Sequence, residues 1–131
     1  MTIQPNRKRR LVRVTSSAQG EGMFVRQAGP PGHVGYVIML VEPSPDDGLT
    51  LEWAVPEAAI PERFSQAVLR GIQFTCSEDG PFHGCAFTQT KVRVIDGAYH
   101  ETDSRDRSYE MAGAFAFEDA VQKAGGVANA T

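Results

Sequence analysis

Cysteine is scarce. Two in 131 residues, Cys76 and Cys85, cannot form a disulfide framework, and a chain of this length buries a core without one. Both read as reduced thiols of a cytosolic protein, one packed at a helix end and one near a strand start. Their spacing of nine residues is not that of a zinc knuckle. Long apolar runs are missing too. The longest, Val34 to Val41, covers eight residues and includes Gly35, so nothing reads as a membrane span. The first ten residues are polar and basic and no h-region follows, which speaks against a secretory signal. Internal repeats and low-complexity segments are absent. So are the G-x-x-x-x-G-K-S/T nucleotide loop, the G-x-S-x-G elbow and the H-E-x-x-H zinc motif. On these grounds the chain calls for no cofactor, no metal and no catalytic residue. What remains, 41% hydrophobic and 22% charged residues, is an ordinary globular composition of one-domain length.

The formal net charge of −3 hides an asymmetry. Residues 1–13 carry Arg7, Lys8, Arg9, Arg10 and Arg13 and no acid, while the remainder is −8. The basic run reads as a solvated arm or leader, or as an arm that touches RNA phosphates through counterion release. The acidic body argues against a broad nucleic-acid surface, so any RNA contact is expected to be local.

Turn residues punctuate the rest. Val12 and Val14 alternate with Arg13 and Thr15, a candidate edge strand. Gly20 and Gly22 are expected to break it before extended structure resumes at Met23–Arg26. Ala28 to His33 is a Gly/Pro loop, Val34 to Val41 a buried strand, and Pro43 to Gly48 a turn. Leu49, Leu51, Trp53 and Val55 alternate with polar or small residues and mark a strand with one packed face. Pro61 opens a helix whose apolar stripe runs through Phe64, Ala67, Val68, Gly71, Ile72 and Thr75. Glu78 to Pro81 stops it. Phe87 to Ile95 is the next strand, closed by an Asp96-Gly97 turn. A second helix runs from about Ser108 to Lys123, capped by Gly125-Gly126. Its alanines and Gly113 let it lie close on a sheet, with Met111, Phe115 and Val121 adding bulk. Strands and helices do not alternate strictly, so the fold is expected to be α+β, a two-layer sandwich of about four strands and two helices.

The histidines His33, His83 and His100 are scattered among loops, with no metal-ligand spacing. His100, Asp103 and Ser104 fall within five residues, but a triad draws on distant parts of a chain. The segment makes more sense as a polar recognition loop, with Arg105 and Arg107 available for phosphate.

Four stretches in unbroken order carry a resemblance. Glu21 to Gln27, followed by a Gly-rich turn and Gly32 to Val37, resembles the opening of domain IV of bacterial elongation factor G. Ile60 to Phe64 and Ala67 to Ile72 are similar to that family's I-P-x-E-Y and A-V-x-x-G-I helix. Gly80 to Gly84 resembles its G-P-L-A-G loop, and Asp96 to Ser104 resembles D-G-S-Y-H-D/E-V-D-S-S. The match spans roughly residues 20–124. Departures are local. The family's G-G-x-G-Q loop here reads Gly29 to His33 with two prolines, and Arg105, Asp106 and Arg107 follow Ser104.

The resemblance implies the two-layer βαβ fold shared with the second domain of ribosomal protein S5, including a left-handed crossover. It implies a domain over residues 20–126, preceded by the basic arm with its candidate edge strand (1–19) and followed by a tail (127–131). It implies two tip loops, Gln27 to His33 and Gly97 to Asp106, that meet tRNA and mRNA at the decoding region of the small ribosomal subunit. The contacting residues expected on that basis are Arg26, Gln27, Gly29, Gly32, His33, Tyr99, His100, Asp103, Ser104, Arg105 and Arg107. The implied action is a non-catalytic wedge, in the cytoplasm, in company with the other domains of a larger GTPase. The Pro-Pro loop and the acidic body favour a different outcome, a free-standing protein-interaction domain that kept the fold and lost the ribosomal role.

Overall fold

The structure is a computed structural model and describes residues 1–130. In chain order the elements are Thr2–Ile3 (β1), Arg10–Arg13 (β2), Ala18–Arg26 (β3), His33–Pro43 (β4), Leu49–Trp53 (β5), Ser65–Thr75 (α1), Cys85–Phe87 (β6), Thr90–Ala98 (β7), Asp106–Lys123 (α2) and Ala128–Asn129 (β8). A 3-10 turn, Glu62–Phe64, leads into α1 behind Pro61. Five strands form the main sheet in the order β1-β5-β7-β4-β3, with only β5 and β7 parallel. A smaller sheet, β6-β2-β8, lies where α2 ends and β7 begins.

The apolar run Val34 to Val41 forms most of β4, and its pattern shows how the layers divide. Gly35, Val37, Met39 and Val41 are buried, whereas Tyr36, Ile38, Leu40 and Glu42 are half-exposed. One face of the sheet therefore meets the helices and the other faces solvent. On the covered side Phe64, Ile72, Tyr109 and Phe117 are almost fully buried. Phe82, Phe87 and Phe117 meet edge to face at centroid distances of 4.9 to 5.9 Å. The architecture is α+β in two layers, as expected.

Eight strands replace the expected four among the described residues, and the reasons are local. The expected strand Phe87 to Ile95 breaks at Thr88-Gln89, where Gln89 turns to a φ of 51°. The piece before the break joins the small sheet and the piece after it joins the main one. Arg10–Arg13, expected at an edge, is central in the small sheet, between β6 and β8. Residues 1–9 run along the body. Ile3 pairs with Leu49, and Arg9 donates to the Cys76 carbonyl at 3.0 Å.

Gly20 and Gly22 do not break β3; they lie inside it. A Cβ on Gly20 would collide with the backbone of Ala116 and Ala120, and one on Gly22 with Ala112 and Ala116. Gly35 on β4 meets the Ser108 carbonyl in the same way. These glycines admit α2 onto the sheet, and the alanines on its facing side complete the fit. Phe115, expected to add bulk there, is instead 42% exposed, and Phe117 holds the core position. Asp96-Gly97, expected as a turn, lies within β7. Ile38 pairs with Asp96 and Met39 with Val94, leaving Ile95 as the extra residue of a bulge.

Candidate functional site

Two connections lie at one pole of the sandwich. β3 passes into β4 through Gln27–Gly32, and β7 passes into α2 through Tyr99–Arg105. Because β4 is antiparallel to both β3 and β7, the two connections emerge side by side. The small sheet lies at the other pole.

Hydrogen bonds stitch the two loops together. The Val34 N–H donates to the Asp103 carbonyl at 3.0 Å, and Ser104 Oγ donates to the Val34 carbonyl at 2.7 Å. Gln27 Nε2 donates to Asp103 Oδ2 at 3.1 Å, and Arg105 Nε donates to the Gly32 carbonyl at 2.9 Å. A Cβ on Gly32 would press on the Asp103 carboxylate and make that side chain shift. Within the second loop, Ser104 Oγ accepts from the His100 N–H at 2.8 Å, and His100 Nδ1 accepts from the Asp103 N–H at 3.0 Å. The bond to Nδ1 leaves Nε2 pointing away from the loop backbone, on a ring that is half-exposed. Below, Tyr109 donates to the Ala98 carbonyl at 2.6 Å; burial pushes its hydroxyl above the usual range and keeps it a donor.

The expected contact residues thus divide into two groups. Arg26, Gln27, Gly29, His100, Arg105 and Arg107 are exposed. Gly32, Tyr99 and Asp103 are half-buried, and Tyr99 accepts from the Arg63 guanidinium at 3.1 Å. His33 and Ser104 are buried beneath the loops. His33 is 8% exposed, packed on Phe24, and its Nδ1 lies 2.9 Å from Ser108 Oγ. Ser104 is 9% exposed and spends its hydroxyl on both loops. Their side chains hold the loops from beneath and are not presented to a partner, because the alternation of β4 turns His33 inward and the Val34 carbonyl pulls Ser104 down.

Ser108 escaped the sequence reading. Its hydroxyl accepts from the Arg105 N–H at 3.1 Å while meeting His33, so it caps α2 and supports the first loop at once. Its place three residues after the last loop residue was the only available signal.

The two loops and their immediate flanks carry equal charge of each sign, Arg26, Arg105 and Arg107 against Glu101, Asp103 and Asp106, with Arg63 beside Tyr99. Part of that charge is internally paired, Asp106 with Arg70 at 3.7 Å and Arg107 with Glu110 at 3.9 Å. A phosphate clamp would need a net positive surface. This pole is better suited to shape and directed hydrogen bonds. Among the described residues, no group of three or more His, Cys, Asp and Glu side chains could hold a metal ion, and no helix is long and apolar enough to cross a membrane.

Comparison with known proteins agrees with the geometry. A crystal structure of a protein from Thermus thermophilus superposes with a TM-score of 0.75 at 28% identity, over 86% of this chain and 17% of that one. The chain therefore spans about a sixth of the length of that relative. The family model described as "Elongation factor G, domain IV" matches residues 12–125, nearly the whole chain, so this protein belongs to the elongation factor G domain IV family.

Proposed function

We propose that the chain acts at the ribosome as a non-catalytic module whose paired loops meet tRNA and mRNA in the decoding region of the small subunit. The reading is supported chiefly by the four hydrogen bonds that lock Gln27, Gly32 and Val34 against Tyr99–Arg105. A wedge must keep its shape under load, and loops tied to each other lose less entropy on contact than free ones. His100, with Nε2 directed outward, and the exposed Arg26 and Arg107 are the groups placed to touch a partner. The residues proposed to carry the role are therefore Arg26, Gln27, Tyr99, His100, Arg105 and Arg107, with Gly29, Gly32, His33, Asp103 and Ser104 shaping the loops. Residues 20–126 form the proposed functional unit, in the cytoplasm. The GTPase that drives movement would lie in other domains of a longer factor.

Detached from such domains, the module loses avidity, so ribosome binding by this chain alone should be weak. Co-sedimentation with ribosomes at low and moderate salt tests this. Binding should weaken with salt and fall further in His100→Ala and Arg107→Ala, with the fold of each variant checked by circular dichroism. Tight, salt-indifferent binding would overturn the proposal.

One observation favours the protein-interaction reading. Met23 and Val25 on the edge strand β3 are 60% and 51% exposed, an apolar edge suited to another polypeptide. Retention of a protein partner free of ribosomal RNA, lost in Val25→Lys, would support that reading instead.

A further inference from the structure

Cys76 and Cys85 are the only cysteines of the chain, and both are free. The fold brings them together at the pole opposite the loops. Cys76 caps the end of α1, and Cys85 opens β6 in register with Arg10 of β2. Both are buried members of the one core cluster. Both also line one pocket of about 360 Å3, walled by Pro5 and Arg9 on one side and by Ile72 and Phe87 on the other. The Arg9 guanidinium reaches across to the Cys76 carbonyl at 3.0 Å. Nothing in the proposed ribosomal role uses this arrangement.

We infer that Cys76 and Cys85 form a thiol pair that hydrogen peroxide, entering this pocket, oxidises to an intramolecular disulfide. The Cys85 thiolate attacks one peroxide oxygen. The O–O bond breaks, the departing oxygen takes up a proton and leaves as water, and Cys85 becomes a sulfenic acid. Cys76 Sγ then attacks the Cys85 sulfur. The S–O bond breaks as the S–S bond forms, and the hydroxyl leaves with the Cys76 proton as a second water. Two thiols thus give two electrons and two protons to one peroxide, which ends as two waters.

The surroundings assign the roles. A hydrogen bond from the Cys76 thiol, with Arg10 and Arg9 nearby, outweighs burial and holds Cys85 below the ordinary thiol range. Arg10 stands in register with Cys85 on the neighbouring strand and favours the thiolate there, which leaves Cys76 as the resolving thiol. The pocket of about 360 Å3, lined by both cysteines, has room for hydrogen peroxide.

The test uses the whole chain treated with hydrogen peroxide, quenched with iodoacetamide and followed by intact mass. The expected product is a monomer lighter by two hydrogens and restored by dithiothreitol. Trypsin leaves both cysteines on one segment, Gly71–Lys91, so cleavage after Glu78 is needed to reveal the linked peptides. In Cys76→Ser the reaction should halt at a Cys85 sulfenic acid that dimedone traps. In Cys85→Ser the remaining thiol should be oxidised about tenfold more slowly than wild type or worse. Independent sulfinic acids without linkage, disulfide-joined dimers, or undiminished oxidation of Cys85→Ser would each overturn the inference. The wild-type map decides the matter even where a variant does not fold.

Discussion

The Ser108 hydroxyl accepts from the Arg105 N–H and lies 2.9 Å from His33 Nδ1, with no solvent exposure. Ser108→Ala would strand the buried imidazole and uncap α2 together. The expected loss is about 1–3 kcal/mol, read as a lower urea midpoint with an unchanged slope. Arg107→Ala provides the contrast. Its side chain is exposed and approaches only Glu110, at 3.9 Å, so stability should move by no more than about 0.5 kcal/mol. A Ser108→Ala effect as small as that of Arg107→Ala would mean that His33 is not anchored from below. The His33 orientation was only half legible in the sequence. The loop signal stopped at His33, and only the alternation of the following strand, counted back one residue, points it inward.

At the scale of elements, the contact of β3 and β4 with α2 decides how the layers fit. Gly22→Ala would drive a methyl group into the backbone of Ala112 and Ala116, which cannot swing aside as a side chain would. The cost should be about 3 kcal/mol, checked by thermal unfolding. Gly29→Ala meets no neighbour, and only its φ of 80° opposes it, so about 1 kcal/mol is expected. Asp119 on α2 also guards the β3 edge, accepting from the Glu21 N–H at 3.0 Å and pairing with Lys123 at 2.9 Å. Burial alone would raise its carboxyl, but the Glu21 N–H and the Lys123 ammonium hold it below the usual carboxylate range. A carboxylate depressed in the folded state adds stability above its unfolded value, near pH 4, and loses it as pH falls through the folded one. Asp119→Asn should therefore be less stable than wild type near neutral pH, and the gap should close in acid. Since the side chain is a third exposed, the effect should stay below about 1 kcal/mol. Stability measured between pH 2 and about 6 checks it.

The molecule as a whole has two poles with different chemistry. The charge-balanced loops stand at one. The small sheet, the thiol pair and the basic N-terminal residues stand at the other, where Arg9 binds the Cys76 carbonyl and Arg10 lies 3.2 Å from Asn129 Oδ1. Removing residues 1–9 would strip β1 from β5 and one wall from the thiol pocket. The half-buried Ile3 and the bond from the Leu51 N–H to the Met1 carbonyl would be lost, a cost of about 2 kcal/mol. If the loops carry ribosome contact, this truncation should lower the melting temperature yet leave co-sedimentation at moderate salt unchanged. A fall in binding equal to that of His100→Ala would move the contact to the basic segment.

Composition, periodicity and turn residues determined the two helices and the strands His33–Pro43 and Leu49–Trp53. Pro61, Gly125 and the alternation from Leu49 to Trp53 act on neighbours within a few residues, so their consequences can be read along the chain. The family motifs likewise placed the two loops. Only the tertiary structure decided what those elements do to one another. Gln27 meets Asp103 across 76 positions and His33 meets Ser108 across 75, and no local rule relates residues so far apart. The same holds for Gly20 and Gly22. Their lack of a side chain weakens an isolated strand, yet inside this fold it is what lets α2 settle against the sheet.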